Sequence, residues 1–439
     1  MTRRSADLKA AISAEVERHA DLICRISDQI MRNPETGYRE TRTAAFVAEQ
    51  LRAVGLSPRE GIALTGVRAS MAGGYPGPNI AIIGELDALL LRDHPFSDPT
   101  THAAHACGHH AQIASMIGAA IGLTSVIEEL HGSVTLFAVP AEECVELDYR
   151  LALRDGGSIE FLMGKAELIR LGEFDDIDMA MGTHTAVMND GSMASVGDSH
   201  NGAILKHVRF IGRSAHAGAF VSDGINALKA ANIALMSIDA HRDTFIESDF
   251  VRLNSVVANG GDGPTVVPAE SVIQTVIRAE NLAAMRAVSA RFDQCIAGAA
   301  TAMGAKAEVR TVSGYMPHRQ DPSLVKLAYS NCAAVVGDRM MGSPSHQTGS
   351  TDFGDLCQIM PVVHPRAGGV SGHPHSMDYR VTDHYAAAVN PAKSMAMTIV
   401  DLLSNGAETA KQVQSAAGPK LNRCEYLALR RSFDTEVYM

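Results

Sequence analysis

A break in rhythm constrains the fold of this chain more than any other feature. Helical and strand patterns alternate up to about residue 200, give way to strand, helix, strand, strand, helix, strand, and alternate again after Gly314. Leu8, Ile12, Val16, Ile23, Ile26 and Ile30 recur at helical steps and predict an opening amphipathic helix that ends at Asn33-Pro34. Further helices are expected over Thr41–Val54, His109–Leu123 and Ala386–Leu403, and buried strands over Asn79–Glu85, Ser133–Val139 and Ile177–Met181. Strands alternating with helices imply an α/β fold, a mostly parallel sheet covered by helices. Between them, Ile204–Ile211, Gly224–Ala240, Val251–Ala258, Ser271–Ala279, Leu282–Ala300 and Ala307–Val312 follow the β-α-β-β-α-β ferredoxin-like plan. The simplest organisation is a discontinuous larger domain, 1–200 and 314–439, carrying an inserted domain over 201–313.

Composition sets the class. A chain of 439 residues exceeds the roughly 250–300 at which one core stops growing, so two domains are the minimum expectation. Apolar residues at 46% and charged residues at 20% are ordinary for a soluble globular protein. A net charge of -11 with no Lys/Arg run argues against a nucleic-acid partner. Seven cysteines, odd in number and scattered, read as reduced thiols and a cytoplasmic location. The basic N-terminus lacks the apolar core of a signal peptide, and no stretch approaches the roughly 20 apolar residues of a membrane span.

Chemistry concentrates at the predicted strand exits, where parallel-sheet enzymes carry reactive groups. Cys107 and His109 stand two positions apart in His105-Ala-Cys-Gly-His-His-Ala-Gln112. Val139-Pro-Ala-Glu142-Glu143 delivers two adjacent carboxylates, of which one can ligate while its neighbour takes a proton from water. His184 follows Met181-Gly-Thr, and His375 lies in Ser371-Gly-His-Pro-His-Ser-Met-Asp-Tyr379. Taken singly, each histidine reads as a structural residue and the carboxylate pair as solvated surface. Together, Cys107, His109, Glu143, His184 and His375 supply donors for one or two divalent metal ions, zinc or manganese, in an open arrangement rather than a closed structural site. The rival reading makes Cys107 a thiol nucleophile with a histidine partner. Asn254 and Arg278, on strands of the inserted domain, are candidates for binding a substrate carboxylate.

In order along the chain, Asn33-Pro-Glu-Thr-Gly37, Gly84-Glu-Leu-Asp-Ala-Leu, His105-Ala-Cys-Gly-His, Pro140-Ala-Glu-Glu, Gly212-Arg-Ser-Ala-His-Ala217 and Gly349-Ser-Thr-Asp-Phe353 resemble the motifs of the metal-dependent amidohydrolases. That family includes aminoacylases, indole-acetyl-amino-acid hydrolases, p-aminobenzoyl-glutamate hydrolases and carboxypeptidase G. The resemblance implies a metal-dependent exopeptidase-like catalytic domain whose ligands are Cys107, His109, Glu143, His184 and His375. It also implies a general base at Glu142 and an orienting carboxylate at Asp87. His216 matches the family histidine that reaches a neighbouring subunit's site and stabilises the oxyanion, which implies a lid or dimerisation role for the inserted domain and a homodimer or higher homo-oligomer. The implied reaction is hydrolysis of an amide in an N-acyl or N-aroyl amino acid, or a peptide-like small molecule with a carboxylate.

Departures keep two further readings open. His110 and Gln112 stand where many relatives have Asp and His, and Thr265 where they have Asn. With Tyr379 as an extra phenol near substrate, these favour hydrolytic deamination of an amino-aromatic acid, as in nitroanthranilate aminohydrolase, which resembles this family. The other alternative is a non-catalytic metal- or ligand-binding homologue, against which both Glu142 and Glu143 weigh.

Overall fold

The computed structural model describes residues 4–188, 190–340, 342, 344–418 and 420–439. It forms two compact units, one of Met1–Asp198, Arg319–Ser345 and Asp355–Arg423, the other of Ser199–His318, His346–Gly354 and Cys424–Met439.

In the first unit, six strands run in the order Arg59–Ile62, Gly66–Ala72, His131–Val139, Tyr75–Glu85, Met179–Met181, Val362–Val363. The last four are mutually parallel, and the first two continue the sheet antiparallel. Successive strand residues point to opposite faces, so Ile80, Ala81, Ile82 and Ile83, all at 0% exposure, require both faces to be covered. Helix His109–Thr124 lies against the two central strands and is itself covered by helices Ala20–Met31 and Asn390–Leu403. Gly118 makes that layering close: a Cβ there would come within 2.8 Å of both Ile23 Cδ1 and Ala392 Cβ. Every residue from His109 to Leu123 is buried, which gives the site a rigid base.

The opening apolar stripe forms two helices rather than the single one expected, Ser5–Arg18 and Ala20–Met31. His19 leaves helical geometry at φ -106° and ψ 11°, with its ring Nδ1 3.0 Å from the Glu15 carbonyl. The stripe survives the break because Leu8, Ile12, Val16, Ile23, Ile26 and Ile30 all enter one core.

The second unit is a five-stranded antiparallel sheet in the order Arg252–Asn259, Glu270–Ala279, Gly202–Ile211, Lys306–Tyr315, Thr435–Tyr438. Helices Ala227–Ala240 and Leu282–Met303 bury Val208, Phe210, Ile273, Ile277, Phe292 and Ile296 against one face. Residues 424–439 belong here, although the sequence reading ran the larger domain through 439. Val437 pairs with Val309, and the buried Arg430 guanidinium donates to the Gly314 and Ser313 carbonyls. A four-residue exposed strand, Thr-Glu-Val-Tyr, has no apolar run to announce its partner. Among the described residues, no helix is long and apolar enough to cross a membrane.

Candidate metal centre

Four chain segments of the first unit converge. Gly108, at φ +91°, turns the chain into helix His109–Thr124, and a Cβ there would strike Thr185 Oγ1 and Tyr379 Oη. The turn therefore needs glycine both for its dihedral and for its space, and it brings Cys107 and His109 to the helix start. Strand His131–Val139 ends at Pro140, Ala141 reverses the chain at φ +53°, and Glu142 and Glu143 follow. His184 opens a short strand, His184–Thr185, parallel to Arg366–Ala367. His375 sits at φ +63° with its amide 2.9 Å from the Ala106 carbonyl, a left-handed non-glycine conformation of the kind that gathers at functional sites.

Cys107 is the hub. Its Sγ lies 3.3 Å from His184 Nε2 and 3.4 Å from His375 Nε2, and His375 Nε2 is 3.1 Å from Glu143 Oε1. Two groups of potential ligand atoms result, Cys107, His109 and His184 on one side and Cys107, Glu143 and His375 on the other, each with its atoms within 4.8 Å of one another. All five expected ligands thus come together, with the thiol common to both groups.

The imidazoles are oriented for coordination. His109 Nδ1 donates to the Asp87 carbonyl at 2.9 Å and His184 Nδ1 to the Thr185 carbonyl at 2.8 Å, which leaves both Nε2 lone pairs directed into the cluster. Asp87 orients a second residue as well, its Oδ2 accepting the Glu143 amide at 2.8 Å.

Charge asks for a cation here. Burial and the Glu143 carboxylate push the Cys107 thiol up, but His184 and His375 outweigh them and bring it to about 5. Burial opposes ionisation of Glu143, yet His375 and His109 hold it well below the usual carboxylate range. Glu143 raises His375 to about 11 against burial. His109 rises well above its ordinary value, because Glu85, Asp87 and Cys107 together outweigh its burial. The thiolate of Cys107 and the carboxylate of Glu143 are thus both stabilised by nearby positive charge, and two anionic donors side by side favour a cation at the centre of the set. His109 Nε2 and Glu143 Oε1 are screened from solvent and engage no partner with hydrogen-bond geometry. The donor set fits one or two divalent ions.

Sequence reading missed a buried support behind His109. Glu85 and Lys165, both at 0% exposure, pair at 2.5 Å. Gln112 Nε2 donates to Glu85 Oε2 at 2.9 Å, its Oε1 accepts the Glu85 amide at 2.8 Å, and Glu85 Oε2 faces His109 Nε2 at 3.2 Å. Burial resists the charge, but Lys165, His109 and His184 bring Glu85 down to about 2. A signal existed: Lys165 and Glu167 interrupt the apolar run Phe161–Ile169. Gln112 therefore faces a carboxylate in the core. His110 likewise turns inward, its ring 5.3 Å from that of His105 and 6.3 Å from that of His384, and burial drives its pKa well down.

Tyr379, expected to reach substrate, instead points into the core. It is 1% exposed, its hydroxyl lies 2.6 Å from Thr185 Oγ1, and burial pushes its phenol up. Thr185 Oγ1 also donates to the Cys107 carbonyl at 3.2 Å, so the tyrosine backs the thiol rather than facing a ligand.

The remaining expected residues lie in the second unit. His216 is exposed, and its Nδ1 accepts the Gly218 and Ala219 amides at 3.1 Å each, which leaves Nε2 to carry the proton outward. Asn254 pairs with Val276 and Arg278 with Arg252, so both side chains share one sheet face with Arg252, which sequence reading did not select. Like charges directly opposite are unfavourable without an anion to share. The Thr265 carbonyl accepts the Ala217 amide at 3.0 Å.

The family model described as peptidase family M20/M25/M40 matches residues 81–398. Among curated proteins, the chain is 26% identical over 422 residues to a mouse Xaa-Arg dipeptidase, covering 90% of this chain and 89% of that one. It is 27% identical to one of the two p-aminobenzoyl-glutamate hydrolase chains of Escherichia coli, over 69% and 77% of the two sequences. Among solved structures, a putative aminohydrolase from methicillin-resistant Staphylococcus aureus superposes with TM-score 0.71 at 18% identity, over 90% of this chain and 100% of that one. A dinuclear metal-binding peptidase from Bacillus subtilis superposes with TM-score 0.64 at 20% identity, over 88% and 99%. At these identities the superpositions speak for the fold.

Proposed function

The chain belongs to peptidase family M20/M25/M40, and from that premise we propose that this hydrolase of C–N bonds cleaves the amide of an N-acyl or N-aroyl amino acid, or of a dipeptide-like molecule, with a free carboxylate. The observation that carries the reading is the thiol shared between two ligand groups with the Glu142 carboxylate 3.9 Å from His109 Nε2. Cys107, His109, Glu143, His184 and His375 would hold two divalent ions, zinc or manganese. Bound there, such ions acidify water and polarise a carbonyl.

The remaining steps belong to the chain. Glu142 takes a proton from the attacking water and returns it to the departing nitrogen. His216, with Nδ1 committed to backbone amides, offers Nε2–H to the developing oxyanion, supplied as the family resemblance implies from a second copy in a homodimer. Asn254 and Arg278 receive the substrate carboxylate. Names among the relatives favour amides of amino acids: Xaa-Arg dipeptidase, p-aminobenzoyl-glutamate hydrolase and N-acetyl-L-cysteine deacetylase.

Aromatic deamination loses two of its three supports, since Gln112 and Tyr379 both turn inward. A thiol nucleophile fits less well than a ligand, because Cys107 lies between two imidazoles, one of them 3.1 Å from the Glu143 carboxylate, so that it shares its surroundings with three other ligand-type groups rather than with one base. Glu142→Gln should lower turnover of N-acetyl amino acids and p-aminobenzoyl-glutamate by about 100-fold or more while bound metal per chain stays unchanged. Near-normal turnover in that variant, or ammonia with a phenol in place of acid plus amine as wild-type products, would contradict the reading.

A further inference from the structure

We infer that Glu35–Glu40 is a clamp that positions the general base Glu142, with Glu40 as its decisive positioning residue; the base assignment is the one proposed above. The segment lies in the Asn33-Pro-Glu-Thr-Gly37 motif and just beyond it, and none of its residues belongs to the ligand set. It ties together two strand exits. Toward the first, the Ala88 amide donates to the Glu35 carbonyl at 2.8 Å and Thr36 bridges to Ala88, beside Asp87. Toward the second, Thr36 Oγ1 bonds the Glu146 carboxylate, and the Ala141 amide donates to Glu40 Oε1 at 2.8 Å.

Ala141 is the point that needs holding. A non-glycine residue at φ +53° is strained relative to ordinary backbone, and its dihedral sets the direction in which Glu142 leaves the strand. Its amide is held by Glu40, and its carbonyl accepts the Gly164 amide at 3.0 Å. Gly37 packs so closely that a Cβ there would lie 2.8 Å from Ala141 Cα. Glu40 is itself fixed: Thr65 Oγ1 donates to its Oε2 at 2.6 Å, and it is wholly buried. Glu35 anchors the near end, its carboxylate accepting the Arg42 and Thr43 amides at 3.0 and 2.9 Å at the start of helix Thr41–Ala53. Burial, with the nearby Asp87 adding to it, pushes Glu40 up to about 8, and a side-chain amide in its place keeps the Oε1 acceptor for Ala141.

The test combines amide hydrogen exchange with steady-state kinetics on the full chain. In Glu40→Ala, a peptide spanning 140–146 should exchange about 10-fold faster than in wild type while one from Ile80–Gly84 is unchanged. Turnover of p-aminobenzoyl-glutamate or an N-acetyl amino acid should fall by about 10- to 100-fold, with KM and metal per chain unaltered. Glu40→Gln should restore both readouts to within about three-fold, because the acceptor for Ala141 returns. If Glu40→Ala does not fold, Thr65→Val, which frees one Glu40 oxygen, should produce the same pattern in smaller measure. Unchanged protection in a folded Glu40→Ala or in Thr65→Val, or equal losses in the Ala and Gln variants, overturns the clamp. Absence of amide turnover in the wild type overturns the functional reading instead, and exchange still decides the clamp.

Discussion

Glu85 and Lys165 illustrate what single residues contribute to this site. Both are inaccessible, and each would be costly to bury alone. Paired, with Gln112 holding the second carboxylate oxygen, they form a charge-balanced wall against which His109 rests. Removing one partner strands the other, so Lys165→Met should destabilise the chain by about 3–5 kcal/mol in chemical denaturation. The double variant Lys165→Met with Glu85→Gln should recover a good part of that, and equal losses in single and double variants would contradict the pairing. The five ligand-type residues were legible in the sequence because thiol, imidazole and carboxylate at strand exits are conspicuous. Lys165 and Glu40 were not, since their importance lies in what they face across the fold. Tyr379 misled for the same reason: proximity in sequence to His375 does not fix which way a ring points.

At the scale of elements, helix His109–Thr124 carries the site's rigidity. It is buried from His109 to Leu123, and its apolar run located it to within a residue; the polar side chains of its first turn, His109, His110 and Gln112, meet buried partners. Gly118 lets helix Ala20–Met31 and helix Asn390–Leu403 approach it, so Gly118→Val should cost about 1–3 kcal/mol through overpacking, read as a lowered denaturation midpoint. An unchanged midpoint would mean the helices can part without penalty. Long alternating or apolar strands were equally legible. The break at His19 was not, because the hydrophobic stripe runs through it unchanged. Strand Thr435–Tyr438 was hidden by its shortness and charge, its pairing fixed by the register of a partner more than a hundred residues away.

For the whole molecule, the sheet and its helices bring together donors from positions 107 to 375, and their arrangement makes Cys107 the common member of two ligand groups. Such a set is assembled only in the folded chain, so metal binding and folding should be linked. Saturating a divalent ion to about 100 times its dissociation constant should stabilise the fold by roughly 2.7 kcal/mol per site. The alternation of helices and strands announced the large sheet, whereas the sharing of one thiol between two groups follows from three-dimensional packing that no spacing rule records. The most direct measurement is a cobalt(II) titration of metal-free protein, read by metal per chain and by thiolate-to-cobalt charge-transfer absorption. The account predicts two cobalt ions per chain with charge-transfer absorption, and loss of that absorption together with weakened binding of both ions in Cys107→Ala. Wild-type protein that binds no cobalt, or a Cys107→Ala variant with the same stoichiometry and spectrum, would contradict it.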